Sequence, residues 1–191
     1  MGYCVVCRLH RLVVNCACLS AMGARQQSSQ SGIWNLQSAI PMSESSSLRS
    51  TAEGKLVVET RFRVRYHETD SMGIVHHAAY ITWFEEGRSA FTRCIGYPLS
   101  RMAAEGVALA VVEVTARYHC PARYDDEVVV LACLDSYGSR GMTFSYEIRR
   151  ASDGALLVSG KSTHVSVGPN GQVRRLPDEL RSRLVSALPR E

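Results

Sequence analysis

The sequence predicts an α+β domain, with one long apolar helix laid against an antiparallel sheet built mostly from the segments that follow it. Three observations carry this. Tyr80, Trp83, Phe84, Gly87, Phe91, Cys94 and Ile95 recur at the 3, 4, 7 spacing of a single helical face. From Val107 onward the chain changes to β-rich runs broken by short turn signals. The connections between those runs are too short for crossovers, so neighbouring strands must run antiparallel.

Taken in order, "KLVVETRFRVRYHE" from Lys55 alternates around Val58, Phe62, Val64 and Tyr66, a strand pattern. The helix follows, and its large aromatics imply deep burial. It should end near "IGYP", where Gly96 can take a left-handed cap and Pro98 cannot continue the helix. Four strands come next: "VALAVVEVTARYH", "EVVVLACLDSY", "MTFSYEIRRA" and "ALLVSGKSTHVSV". They are separated by "CPARYDD", "GSRG" and "SDG", the last suited to a tight hairpin. A short helix, "PDELRSRLVSAL", closes the chain behind a proline in its first turn. There is no internal repeat, and a helix this apolar must be covered by the sheet.

Residues 1–54 read as a tail and linker, and residues 55–191 as the domain. Residues 26–54 are rich in Ser and Gln. The first 24 residues hold scattered basic residues and short apolar runs, none long enough to span a membrane. They fit an organellar transit segment, a signal segment interrupted by Arg and Asn, or residues upstream of a start at Met42. Cys4, Cys7, Cys16 and Cys18 lie there, but their spacing fits poorly with paired zinc knuckles.

Composition narrows the function classes. The 191 residues are 46% apolar, as expected for a packed core. The net charge of +4 owes three charges to Arg8, Arg11 and Arg25, ahead of the first acidic residue, Glu44. From Glu44 on the balance is close to neutral, which gives no argument for a nucleic-acid partner. Seven cysteines without regular spacing argue against a disulfide framework and for a reducing, cytoplasmic setting.

The stretch "YHETDSMGIVHHAAY", Tyr66 to Tyr80, joins the first strand to the helix and concentrates His67, Glu68, Asp70, His76 and His77. A metal site has suitable ligand types there, yet the spacing matches no ligand pattern and adjacent histidines point apart. Ser71 lies beside Asp70 but in no strained nucleophile turn, and no cysteine occurs in the loop. A third arrangement is a minimal hydrolytic site. Backbone amides around His77 to Ala79 would polarise a carbonyl at the helix start, and Asp70 would attack or activate water. Thioesters suit such a site, because a thiol of pKa about 8.5 leaves with little acid assistance. Gly73 would let the backbone pass close to a substrate. On spacing alone, Asp70 as a turn or cap carboxylate stands beside this reading.

The stretch "YHETDSMGIVHHAAYITWFEEGR" resembles the hotdog-fold acyl-CoA thioesterases, in particular the branch with 4-hydroxybenzoyl-CoA thioesterase and the Tol–Pal-associated enzymes. Tyr66, Thr69, Asp70, Gly73, Ile74, Val75, His77, Tyr80, Glu85 and Arg88 fall on that motif. Segments from Tyr118, around Gly141 and at "STHVSV" add weaker likeness, so the resemblance covers about residues 58–180. It implies a hotdog fold, a long helix wrapped by a five- or six-stranded antiparallel sheet. It also implies acyl-CoA hydrolysis without a cofactor or metal, and homodimers or homotetramers with sites shared across the dimer interface. By position, Asp70 matches the family's catalytic carboxylate and the His77 amide its carbonyl-polarising donor. Tyr66 and the His77 side chain match functional positions, and Gly73, Ile74 and Val75 fall in the substrate-contacting loop. The chain departs from the family at Gly168, where many relatives carry Asp, and in its long tail.

Other residues take blander roles. Glu85 lies three residues before Arg88, so a helical ion pair is its simpler reading than catalysis. His164 reads as structural and His76 as a flank residue. Arg140, in "GSRG", is a candidate for a CoA phosphate, as are Arg123, Lys161 and Arg174. Two alternatives remain beside an acyl-CoA hydrolase: an acyl carrier protein thioesterase, and a non-hydrolytic module that binds acyl thioesters.

Overall fold

The computed structural model describes residues 47–50, 55–185 and 187. Two short segments open the sheet, β1 (Ser47–Ser50) and β2 (Leu56–Arg63). A 3₁₀ turn (Tyr66–Glu68) leads to α1 (His77–Cys94), followed by α2 (Leu99–Ala104). Strands β3 (Ala108–Tyr118), β4 (Glu127–Tyr137), β5 (Gly141–Arg150) and β6 (Leu156–Val167) come next, and α3 (Asp178–Val185) closes the domain. The six strands form one sheet in the order β1-β2-β4-β5-β6-β3, with every neighbouring pair antiparallel.

The expected helix lies against this sheet, packed on β2, β4 and β5. Its stripe goes into the core: Tyr80, Trp83, Phe84 and Phe91 are all buried. On the facing strands the even-numbered residues point inward, and Val130, Ala132 and Leu134 of β4 lie opposite Ile148, Tyr146 and Phe144 of β5. This is the period-two alternation of a sheet with one covered face. Phe84 stacks on Tyr146 at 4.4 Å, and Phe91 meets Phe144 edge-on at 5.3 Å. Each such ring contributes roughly 1.5–3 kcal/mol through burial. Gly96, at φ +74°, caps the end of the helix as expected.

Four details differ from the sequence reading. Cys94, assigned to the apolar stripe, is exposed because the buried face of the last turns runs through Arg88, Phe91 and Thr92 and leaves Cys94 at its edge. The first strand stops at Arg63 rather than Tyr66, since the Glu68 carboxylate accepts the Arg65 N–H at 2.7 Å and curls the chain into the 3₁₀ turn. Helix α2, unassigned from sequence, anchors mainly through buried Met102. Strand β1 pairs Ser47–Ser50 with Glu59–Leu56, so pairing reaches into residues assigned to the linker. The cysteine-rich segment and the rest of that tail lie outside the described residues.

The core also holds a polar ladder. The Arg88 guanidinium, 6% exposed, donates from Nη1 to His164 Nδ1 at 2.9 Å. His164 Nε2 lies 2.7 Å from Ser162 Oγ, which lies 2.8 Å from the Tyr146 hydroxyl. Because an arginine can only donate, Nδ1 accepts and the imidazole proton sits on Nε2. Burial, and then the Arg88 charge, lowers the His164 pKa from 6.5 to about 4. Folded and unfolded chains are both neutral there at high pH. As pH falls from about 6.5 towards 4, only the unfolded chain takes up the proton, so stability is lost across that window, by up to about 3 kcal/mol. His164→Asn keeps an acceptor and a donor but cannot titrate. Its urea-unfolding midpoint should fall less steeply than the parent's over that range.

Candidate active site

Between the 3₁₀ turn and α1 the chain forms a tight loop. Thr69 and Val75 bridge antiparallel across its neck. Asp70 N–H donates to the Ile74 carbonyl at 2.9 Å, and Gly73 N–H to the Asp70 carbonyl at 3.0 Å. Gly73 sits at φ +70°, which most side chains would resist. Asp70 Oδ1 accepts the Met72 N–H at 2.8 Å, so one carboxylate oxygen does serve the turn. Oδ2 has no donor among the described residues, which leaves it available to chemistry.

This loop is fastened to the helix. Glu68, 8% exposed, receives the Trp83 indole N–H on Oε1 at 2.8 Å and the Arg65 amide on Oε2. The His76 N–H donates to the Glu68 carbonyl at 2.8 Å, and the Val75 N–H to the Ala122 carbonyl at 2.9 Å. The Ala122 N–H donates in turn to the Tyr80 hydroxyl at 2.9 Å, and burial raises the Tyr80 pKa. The loop therefore has little freedom relative to α1 and to the segment after β3.

At the helix start, His76 is the N-cap and its Nδ1 accepts the Ala78 N–H at 3.3 Å. The Ala79 N–H reaches the His76 carbonyl at 2.9 Å. Of the three amides expected to converge here, only the His77 N–H has no acceptor among the described residues. Asp70, Ile74, Val75 and His77 share the wall of one cavity of about 300 Å³ with Met72, Tyr80, Tyr118, His119, Cys120 and Pro121. The Tyr118 hydroxyl donates to the His77 carbonyl at 3.0 Å, tying β3 to the first turn of α1. Its lining thus includes Asp70 and His77, which carry a carboxylate oxygen and a helix-terminal amide without partners among the described residues, and most of the other lining residues are apolar. No group of three ligand side chains among the described residues is placed to hold a metal ion.

The other sequence candidates lie elsewhere. Tyr66 is 77% exposed and packs edge-on against Tyr124 at 5.6 Å, outside the cavity wall. Gly73 shapes the loop without lining the cavity, and its carbonyl accepts from Arg123 at 3.4 Å. Arg140 is in the β4–β5 turn, away from the wall. Glu85 pairs with Arg88 at 3.7 Å, as its spacing suggested. Tyr118, His119, Cys120 and Pro121 carried no assigned role, although "YHCP" stood out as a family-like segment. Nothing in their separation of about 40 residues from His77 signals that contact.

Residues 64–184 match the family model of the thioesterase-like superfamily. The chain belongs to that superfamily. A putative acyl-CoA thioesterase of Bacillus subtilis, YneP, is 35% identical over 111 residues, covering 58% of this chain and 80% of its own. The acyl-CoA thioester hydrolase YbgC of Escherichia coli O157:H7 is 32% identical over 107 residues, covering 56% and 79%. A crystal structure of a hypothetical protein from Thermus thermophilus superposes with a TM-score of 0.62 at 37% identity, covering 66% of this chain and 97% of that one. The hotdog fold expected from the loop motif is thus the fold of this thioesterase-like domain.

Removing the fastening should loosen the loop. Glu68→Ala leaves the buried Trp83 indole N–H and the Arg65 amide without acceptors, at roughly 1–3 kcal/mol each. Chemical denaturation should show a loss of that order, and a change within error would show that the clamp does not hold the loop.

Proposed function

We propose that this chain hydrolyses an acyl-CoA thioester to the free acid and CoA. The observation that carries the reading is the shared cavity wall: Asp70, with a carboxylate oxygen that has no donor among the described residues, and His77, whose amide has no acceptor among them, both line one largely apolar space. The thioester carbonyl oxygen is placed at the His77 N–H, where the helix dipole favours developing negative charge. Asp70 then acts on the carbonyl carbon in one of two ways. As general base it takes a proton from water, the resulting hydroxide adds to the carbonyl, and the tetrahedral intermediate collapses with loss of the thiolate. As nucleophile it forms a mixed anhydride, expels the thiolate, and water hydrolyses the anhydride. Either way the thiolate leaves as a weak base, so the site needs no strong acid.

Membership of the thioesterase-like superfamily supports the reaction class, and the chemistry of YneP and YbgC supports CoA as the thiol carrier. The His77 side chain and Ile74 and Val75 contact substrate in this reading. Tyr66 and Arg140 act only if a second subunit brings them to the cavity. Among the described residues strand β3 pairs on one side with β6 and leaves its other edge open, and it exposes Val111, Val112, Val114 and Tyr118. An open apolar edge of this length favours pairing with another copy. We therefore take the working unit as a homodimer or a pair of dimers, with the cavity beside the shared edge. No helix among the described residues is long and apolar enough to cross a membrane, and Cys94, Cys120 and Cys133 are unpaired, which supports a reducing, cytoplasmic setting.

A panel of acyl-CoA and acyl carrier protein thioesters, followed by release of free thiol, tests the activity and identifies the carrier. Asp70→Asn should lower kcat by roughly 100-fold or more while KM moves little. The fold should persist, because the Asn side-chain oxygen can still accept the Met72 N–H. Near-normal turnover in that variant would remove Asp70 from the chemistry. A parent protein inactive on the whole panel would instead favour a binding module. Sedimentation at assay concentrations should give a dimer or larger, and an active monomer would refute the shared edge.

A further inference from the structure

The loop that carries Asp70 is held from two sides, and the second side leads to an arginine with no part in the proposed reaction. Glu68 fastens the loop to α1. The segment Pro121–Asp126 touches it again. There the Ala122 carbonyl accepts the Val75 N–H at 2.9 Å, and Arg123 Nη1 reaches the Gly73 carbonyl at 3.4 Å. Ile74 lies between those two contacts, and its carbonyl accepts the Asp70 N–H at 2.9 Å. Val75 in turn stands just ahead of the His76 cap and the first turn of α1. The placement of Asp70 against the His77 amide therefore follows the placement of this segment, and Pro121 itself lines the Asp70 cavity.

Arg150 anchors the segment to the sheet. The inward-facing row of β5 runs through Met142, Phe144, Tyr146 and Ile148, all buried. The next position on that face is Arg150, opposite buried Val128 of β4. A guanidinium in such a row needs acceptors, and each of its nitrogens has one. Nη2 donates to the Pro121 carbonyl at 2.8 Å, Nε to Asp126 Oδ2 at 3.2 Å, and Nη1 to Asp153 Oδ2 at 2.8 Å. The same Asp126 oxygen accepts the Arg123 N–H at 2.9 Å, so one side chain holds both ends of the segment. Pro121 has no N–H, which leaves its carbonyl as the backbone handle. The Asp153 contact belongs to the β5–β6 turn instead. Strand β5 is paired on both sides, a firm support for the anchor.

Building on the thioesterase reading, we propose that Arg150 is a positioning residue for the reaction. Through Pro121 and Asp126 it sets the segment that contacts Gly73 and Val75, and so sets the approach of Asp70 to a carbonyl held at the His77 amide. Arg150 does not itself line the cavity.

The test compares Arg150→Met in the parent and in Asp70→Asn. Because a misplacement of about 1 Å can cost about 100-fold in rate, Arg150→Met should lower the parent's kcat about tenfold or more and leave KM within about twofold. In Asp70→Asn, where no carboxylate remains to be placed, it should change the residual rate by less than about threefold. A merely structural role would lower both rates by one factor. Asp153→Asn alters only the turn contact and should leave kcat within about twofold. Amide hydrogen exchange adds a readout that needs no turnover: in Arg150→Met the Val75 N–H should speed up by about tenfold more than the Val130 N–H of β4. If Arg150→Met does not fold, Arg150→Lys replaces it. Its ammonium lacks the planar fork that spans Pro121 and Asp126, so the same pattern should appear at about threefold or more.

Equal losses in the two backgrounds, an unchanged parent kcat, a loss in Asp153→Asn as large as in Arg150→Met, or Val75 exchange that rises no more than that of Val130 would each overturn the proposal. A parent inactive on every thioester, with Val75 exchange raised in the variant, would refute hydrolysis while supporting Arg150 as the anchor of the loop. An active parent whose kcat is indifferent to Arg150 would do the reverse.

Discussion

The buried carboxylate of Glu68 is the contact on which the site depends. It sits between the loop and the helix, beside the His76–Glu68 backbone hydrogen bond, and it receives one N–H from each segment, the Arg65 amide and the Trp83 indole. Trp83 is at the centre of the core, 1% exposed, so the carboxylate ties the loop to the most rigid part of the molecule. Asp70 follows two residues later, and its position relative to the helix start is fixed by that tie. A loop held only by surface contacts would leave the Asp70 carboxylate free to wander by more than positioned chemistry tolerates.

The same helix serves the core and the site, and these demands fall on different parts of it. Its first turn keeps the His77 amide unpaired, while its middle turns bury aromatic rings against β4 and β5. Tyr80 belongs to both. Its ring packs on Trp83 at 4.7 Å and its hydroxyl accepts the Ala122 amide, so the residue bounding the cavity also holds the segment beyond β3 in place. Core stability therefore supports the geometry of the site directly.

Strand β3 has a different character from the central strands. Most of its residues are exposed, whereas those of β4 and β5 are largely buried. Among the described residues it is joined to the sheet through β6, and it contributes to the walls of two cavities along α1. The buried ladder of Arg88, His164, Ser162 and Tyr146 instead joins the helix to β6 and β5, where a purely apolar packing would be simpler.

The sequence by itself determined the α+β class, the main helix with its glycine cap, and the antiparallel strands, because these depend on local periodicity and turn chemistry. It also singled out Asp70 and His77, since both lie within one short loop whose residues are bound to stay near one another. It missed the turn at Tyr66, where the Glu68 side chain, accepting the Arg65 amide, overrode the alternation, and it did not show that Tyr66 would lie outside the cavity wall. Tyr118, His119 and Cys120 joined the site only through tertiary structure. Their place beside His77 follows from β3 crossing back to the sheet edge, and the partnering of Arg88 with His164 spans 76 positions. Such contacts leave no periodic mark in the chain, because their energy comes from burial and hydrogen bonding between segments that only the packed sheet brings together.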